Sequence, residues 1–166
     1  MCKNICAGVS KIEITCKEEG AYDAFLSEKA KKHIPKEYLG TKLKVDDPLF
    51  ARVLVLDDGF GKVVLITMDV TAIGARTISQ NILSDSADNF MPDLRKQIEE
   101  KFDIPGCNVS VSASHTHQAP RLLCDDAAQI NKILEALKRA LQNMVPVTIG
   151  VGSGYEDTIT VNRTIM

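Results

Sequence analysis

"ARVLVLDDGFGKVVLITMD", residues 51–69, contains two apolar runs separated by a short polar, glycine-containing stretch. Val, Leu and Ile dominate both runs, and β-branched residues favour the pleated backbone of a strand. The stretch between them, Asp57-Asp58-Gly59-Phe60-Gly61, suits a tight chain reversal because glycine reaches positive φ without a steric penalty. Two antiparallel strands, Arg52 to Asp57 and Lys62 to Asp69, are therefore expected. Neither run alternates regularly with polar residues, which predicts burial on both faces.

Upstream of this hairpin, Val9 to Thr15 alternates apolar and polar residues and reads as a short strand. Residues 17–48 are polar and broken by Gly20, Pro35, Gly40 and Pro48, so a long loop is expected, with a helical turn around Ala24 to Lys32. Downstream, a helix is expected from about Thr71 to Leu83. After the polar break at 84–89, a second helix places Phe90, Leu94, Ile98 and Phe102 on one stripe, with Pro92 in its first turn. Cys107 to Ala113 is the next strand, with Val109, Val111 and Ala113 on one face. Asp125 and Asp126 introduce an amphipathic helix through Ile130, Ile133, Leu134, Leu137, Leu141 and Met144. Pro146 is expected to end it, and "VTIGVGSG" (147–154) with "TITVNR" (158–163) reads as one or two further strands.

The order strand, hairpin, helix, strand, helix, strand implies a mixed α/β fold. Its mixed sheet has at least one parallel crossover and flanking helices. Ligand sites in such sheets gather at the carboxyl ends of parallel strands. Asp69 and His115 each stand at the end of an expected strand.

Length and composition set the class. A chain of 166 residues fits one domain, taken as 1–166. Apolar residues make up 45% and charged residues 25%, as in a folded globular protein. Lys and Arg number 20 against 22 Asp and Glu, a net charge of -2 with no basic stripe for a phosphate backbone. Nucleic acid is excluded as the expected partner. No run approaches the roughly 20 apolar residues of a membrane span, and the N-terminus lacks the apolar core of a secretory signal. The cytoplasm is therefore the expected location. Cys2, Cys6, Cys16, Cys107 and Cys124 contain no CxxC pair and are odd in number, which reads as reduced thiols.

Chemistry concentrates in "SASHTHQAP", residues 112–120, which carries two of the three histidines. Residues i and i+2 of an extended chain share a face, so His115 and His117 point together if strand geometry continues past Ala113. They then share a metal or act as ligand and acid/base, or else form a hydrogen-bonded polar turn. A catalytic zinc takes at least three protein ligands, and His33, in the long polar loop, has no motif that brings it to this strand end. Asp69 either accepts a hydrogen bond from a histidine or caps the following helix. Ser112 and Ser114 lack the glycine-flanked elbow of a nucleophilic serine.

Four stretches, "AGVSKIEIT" (7–15), "DPLFARVLVLDDGFGKVVLITMDV" (47–70), "NVSVSASHTHQAP" (108–120) and "VNRT" (161–164), resemble the N-terminal part of the neutral/alkaline, non-lysosomal ceramidase family. The resemblance implies a zinc-dependent amidase that releases a fatty acid and an amino alcohol from a lipid amide. It implies that His115 binds zinc and that His117 faces the reacting carbonyl or its oxyanion. It also brings Arg163 forward as a substrate-site residue. Gln118-Ala119-Pro120-Arg121 departs from the small residue, glycine and proline that usually follow HTH. The family completes its zinc site with a histidine, a glutamate and a tyrosine from later in a longer chain, and these have no counterpart here. The expected protein is thus an N-terminal portion of a zinc hydrolase, inactive alone, that either associates with itself or awaits a C-terminal portion. A non-catalytic binding module, or a small metallohydrolase completed by Asp69 or another subunit, are the competing readings.

Overall fold

The computed structural model describes residues 5–15, 19–21, 32, 35–74, 89–116, 124–156 and 158. Five strands form the main sheet: β1 (Ile5–Glu13), β4 (Phe50–Asp57), β5 (Lys62–Met68), β6 (Val109–Ala113) and β7 (Val145–Val147). Their order is β6-β5-β4-β1-β7; β5 and β6 run parallel, and every other pair is antiparallel. A separate two-stranded ladder pairs β2 (Glu19–Ala21) with β3 (Lys42–Lys44) inside the segment read as loop. Two long helices, α1 (Phe90–Phe102) and α2 (Asp126–Gln142), complete the layers. The mixed α/β class and the parallel crossover expected from the sequence are both present.

The β4–β5 hairpin forms as expected, with register Asp57↔Lys62 at its closed end and Gly59 at φ 81°. Asp57 accepts the Gly59 N–H at 2.7 Å, and Asp58 accepts those of Phe60 and Gly61 at 2.8 and 3.0 Å. The Gly59 N–H, helped by the nearby Lys62 ammonium, holds the Asp57 carboxyl below the usual carboxylate range.

Burial on both faces does not hold for these strands. Ala51, Val53, Val55, Val64, Ile66 and Met68 are buried, while Val63 and Leu65 are 42% and 40% exposed. Both helices lie on a single face of the sheet, so an almost wholly apolar strand still splits into a covered and an open side. The covered side meets Phe90, Leu94 and Ile98 of α1 and Ile130, Ile133, Leu134 and Leu137 of α2 in one core.

Helix α2 starts where Asp125 accepts the Ala128 N–H at 2.8 Å, an N-cap that satisfies one of the orphan donors of the first turn. It lies against β1, where Ser10 Oγ donates to the Ala136 carbonyl at 2.6 Å. The helix stops at Gln142 rather than at Pro146, which instead sits in the edge strand β7, opposite Cys6. An edge tolerates proline because one side of the strand makes no ladder bonds. The strand expected from "VTIGVGSG" is not formed: residues 148–156 are neither helix nor strand, and Val151 and Tyr155 are almost fully exposed. The helix expected from Thr71 is likewise absent over residues 71–74, and its remainder lies outside the described residues. The turn near Ala24, "TITVNR" beyond Thr158, His33, His117 and Arg163 also lie outside them.

The reading of the cysteines as reduced thiols is corrected at one position. Cys6 and Cys107 are free, but Cys124 is disulfide-bonded to a cysteine outside the described residues. An odd count excludes complete pairing only, and it leaves room for one bond.

Candidate functional site

The parallel pair β5–β6 ends at Met68 and Ala113, which are register partners. The chains that leave these two ends stay bonded. Ser114 N–H donates to the Met68 carbonyl at 2.9 Å, and His115 N–H to the Val70 carbonyl at 3.0 Å. Thr71 then supplies both halves of a clasp. Its carbonyl accepts from His115 Nδ1 at 2.7 Å, and its hydroxyl donates to the Thr116 carbonyl at 2.8 Å. Thr71 is 1% exposed and Thr116 is half-buried, whereas His115 itself is exposed.

A ring nitrogen facing a carbonyl must carry the hydrogen, which fixes the neutral His115 tautomer with its lone pair on Nε2. This is the arrangement in which a histidine is oriented for a metal by a backbone acceptor. His115 also has φ 63°, in the left-handed region that a non-glycine residue seldom adopts. Such a conformation persists where surrounding bonds impose it and clusters at functional sites. It also ends the extended geometry on which a shared face for His115 and His117 depended: β6 stops at Ala113, and the chain turns at His115.

Asp69 is committed elsewhere. Its Oδ2 accepts the Phe50 N–H at 3.0 Å, and its Oδ1 accepts from Arg52 Nη1 at 2.8 Å. The carboxylate therefore fastens the start of β4 to the end of β5, and the described residues 71–74 that follow it form no helix for it to cap. The acceptor that orients His115 is the Thr71 carbonyl, which sequence reasoning missed. A backbone oxygen leaves no residue-type signature, although a threonine two residues after Asp69, just past a buried strand, was the available clue.

Among the described residues no three His, Cys, Asp or Glu side chains gather in a way that could hold a metal ion. His115 is the one side chain of this strand end with the chemistry of a metal ligand, and the described residues alone do not complete a metal site. Ser112 Oγ lies 3.4 Å from Thr67 Oγ1 and 3.4 Å from the Ile66 carbonyl, with no imidazole among these partners.

Replacing Thr71 by valine keeps the shape and removes the hydroxyl. The expected loss is about 1–3 kcal/mol, because the Thr116 carbonyl loses a shielded donor. Urea unfolding of the variant measures it, and a change below about 0.5 kcal/mol would show that the clasp is not formed in solution.

No family model matches the sequence, and no curated protein matches it either. Solved structures do match. The crystal structure of neutral ceramidase from Pseudomonas aeruginosa aligns at TM-score 0.55 and 15% identity, over 86% of this chain and 22% of that one. A ceramidase structure complexed with C2 aligns at TM-score 0.56 and 15% identity, with the same coverage. The chain therefore spans about a fifth of the length of the structures it matches, and its architecture is one that neutral ceramidase also contains.

Proposed function

We propose that this chain is the N-terminal portion of a ceramidase-like, zinc-dependent amide hydrolase and forms one wall of the active site. The observation that carries the proposal is the preparation of His115: a strained backbone, a fixed tautomer and an oriented ring at the carboxyl end of a parallel strand pair. The shared fold with neutral ceramidase supports it.

When bound, zinc supplies a Lewis acid that polarises an amide carbonyl and lowers the pKa of a water. This chain's part is to hold the metal through His115 Nε2, with Thr71 fixing the ring. His117 places an N–H against the reacting carbonyl oxygen and stabilises the charge that develops there. Arg163 contacts the substrate, and Asp69 keeps the ends of β4 and β5 in place beneath the site. The products are a fatty acid and an amino alcohol, and the substrate is a lipid amide of the sphingolipid type.

The remaining ligands come from a C-terminal portion or a second subunit. The open face of the sheet suits such a partner. It exposes Val9, Val63 and Leu65, and it carries a groove of about 560 Å³ bordered by Lys11, Arg52, Leu54 and Thr67. Exposed apolar surface of this kind marks an association site. No described helix is long and apolar enough to cross a membrane. A small metallohydrolase completed by Asp69 is disfavoured, because both oxygens of Asp69 are bonded to β4.

The test is hydrolysis of an N-acyl amino alcohol by the natural polypeptide that carries this chain. His115→Ala is expected to lower kcat/KM by about a hundred- to a thousandfold, the order of magnitude lost when one stabiliser of developing charge is removed. A variant within about tenfold of the parent would refute the assignment. The 166-residue chain alone is expected to bind zinc weakly and to hydrolyse little. Nanomolar affinity of this chain, abolished by His115→Ala, would instead mean a complete local site.

A further inference from the structure

Cys124 is disulfide-bonded, and it lies at the far end of the segment that begins with His115. Of the five cysteines, Cys6 and Cys107 carry free thiols, which leaves Cys2 and Cys16 as partners within the chain. The described backbone separates these two. Cys124 donates its N–H to the Ile14 carbonyl at 3.2 Å. Cys16 follows Ile14 by two residues, so its Cα lies within about 7 Å of that of Ile14. Cys2 precedes Ile5, at the opposite end of β1. Strand rise puts Ile5 roughly 30 Å from Ile14, and three residues recover at most about 10 Å of that. A disulfide needs Cα atoms no more than about 7 Å apart, which Cys2 cannot reach.

We propose that Cys124 is joined to Cys16, and that this bond fastens the C-terminal end of the histidine segment to the end of β1. The other end is already held, because His115 N–H is bonded to the Val70 carbonyl. The segment that carries His117 is then tied at both ends to strands of the core sheet. The pairing stands on backbone geometry alone; its value to catalysis rests on the proposed function.

Formation of the bond removes two protons and two electrons from the two thiols. They pass to a disulfide oxidant such as oxidised glutathione, which leaves as two thiols. The bond persists in an oxidising compartment and is reduced in the cytosol.

Peptide mapping decides the pairing. The purified protein is alkylated without reduction and digested with trypsin. The expected product is residues 12–17 (IEITCK) linked to residues 122–132 (LLCDDAAQINK), lost on treatment with dithiothreitol. An alkylated Cys124, or Cys124 linked to residues 1–3, would overturn the pairing. Intact mass under denaturing conditions must be that of one chain, and a dimer mass would overturn the intrachain bond. For the tether, native trypsin cleavage after Arg121 is timed with and without dithiothreitol. Reduction is expected to speed it about tenfold or more, since local opening governs cleavage in a segment of this kind. Equal rates would show that the bond does not restrain the segment, whatever the activity of the site.

Discussion

Gly8→Ala is expected to unfold this protein or to lower its stability by about 3 kcal/mol or more, at the upper end of what overpacking causes. A Cβ on Gly8 would lie 2.0 Å from the Ala140 carbonyl oxygen, 2.9 Å from its carbon and 2.7 Å from Met144 Sδ. Met144 can turn aside, but the backbone of α2 cannot. Nor can β1 retreat, because Gly8 is in register with Val55 on β4 while neighbouring Ala7 pairs with Val145 on β7. One turn back along the helix, Ser10 Oγ is bonded to the Ala136 carbonyl, so strand and helix are clamped beside the contact. The methyl group fits only if α2 lifts off the sheet, which breaks the packing of Leu137 and Ala140. Gly61, with nothing within 4 Å of its Cβ position, is the control and should tolerate alanine. Thermal unfolding measures both: a fall of roughly 10 °C for Gly8→Ala is expected for a chain of this length. Equal melting temperatures would mean that α2 does not approach β1 as described.

Reduction of the Cys124 disulfide is the second large effect. With Cys16 as the partner, the bond closes a loop on the order of 100 residues, and such a bond typically stabilises by about 2–4 kcal/mol by restricting the unfolded chain. Treatment with dithiothreitol should lower the melting temperature by roughly 5–15 °C. Cys124→Ser should reproduce the shift and be insensitive to reductant. The core of β4, β5, α1 and α2 does not contain this bond, so the reduced protein should retain its far-ultraviolet circular dichroism at low temperature. An unchanged melting temperature would mean that the native fold gains nothing from the crosslink.

Much of this fold was legible because periodicity and turn chemistry agree. The Asp57 to Gly61 reversal, the Asp125 cap and the apolar stripes of α1 and α2 each follow from local residue types, and the structure contains all of them. What was not legible depended on distant partners. Whether Val63 and Leu65 are covered is decided by which side of the sheet the helices take, and a run of Val, Leu and Ile looks the same in both cases. "VTIGVGSG" has the composition of a strand, but beyond Val147 it pairs with no strand among the described residues. Thr71 reads as a helix start until its carbonyl and hydroxyl are seen committed to His115 and Thr116. His115 itself was found from sequence as a chemical type at a strand end, whereas its positive φ and fixed tautomer emerge only from the pairing of two chain ends.

The central claim is that His115 is a zinc ligand in a site completed from outside the described residues. The direct measurement is zinc content per polypeptide, by mass spectrometry after gel filtration, of the natural polypeptide that carries this chain and of its His115→Ala variant. The account predicts stoichiometric zinc in the parent and its loss from a variant that remains folded. Zinc retained at the same stoichiometry in the variant, or hydrolysis by a parent free of zinc, would contradict it.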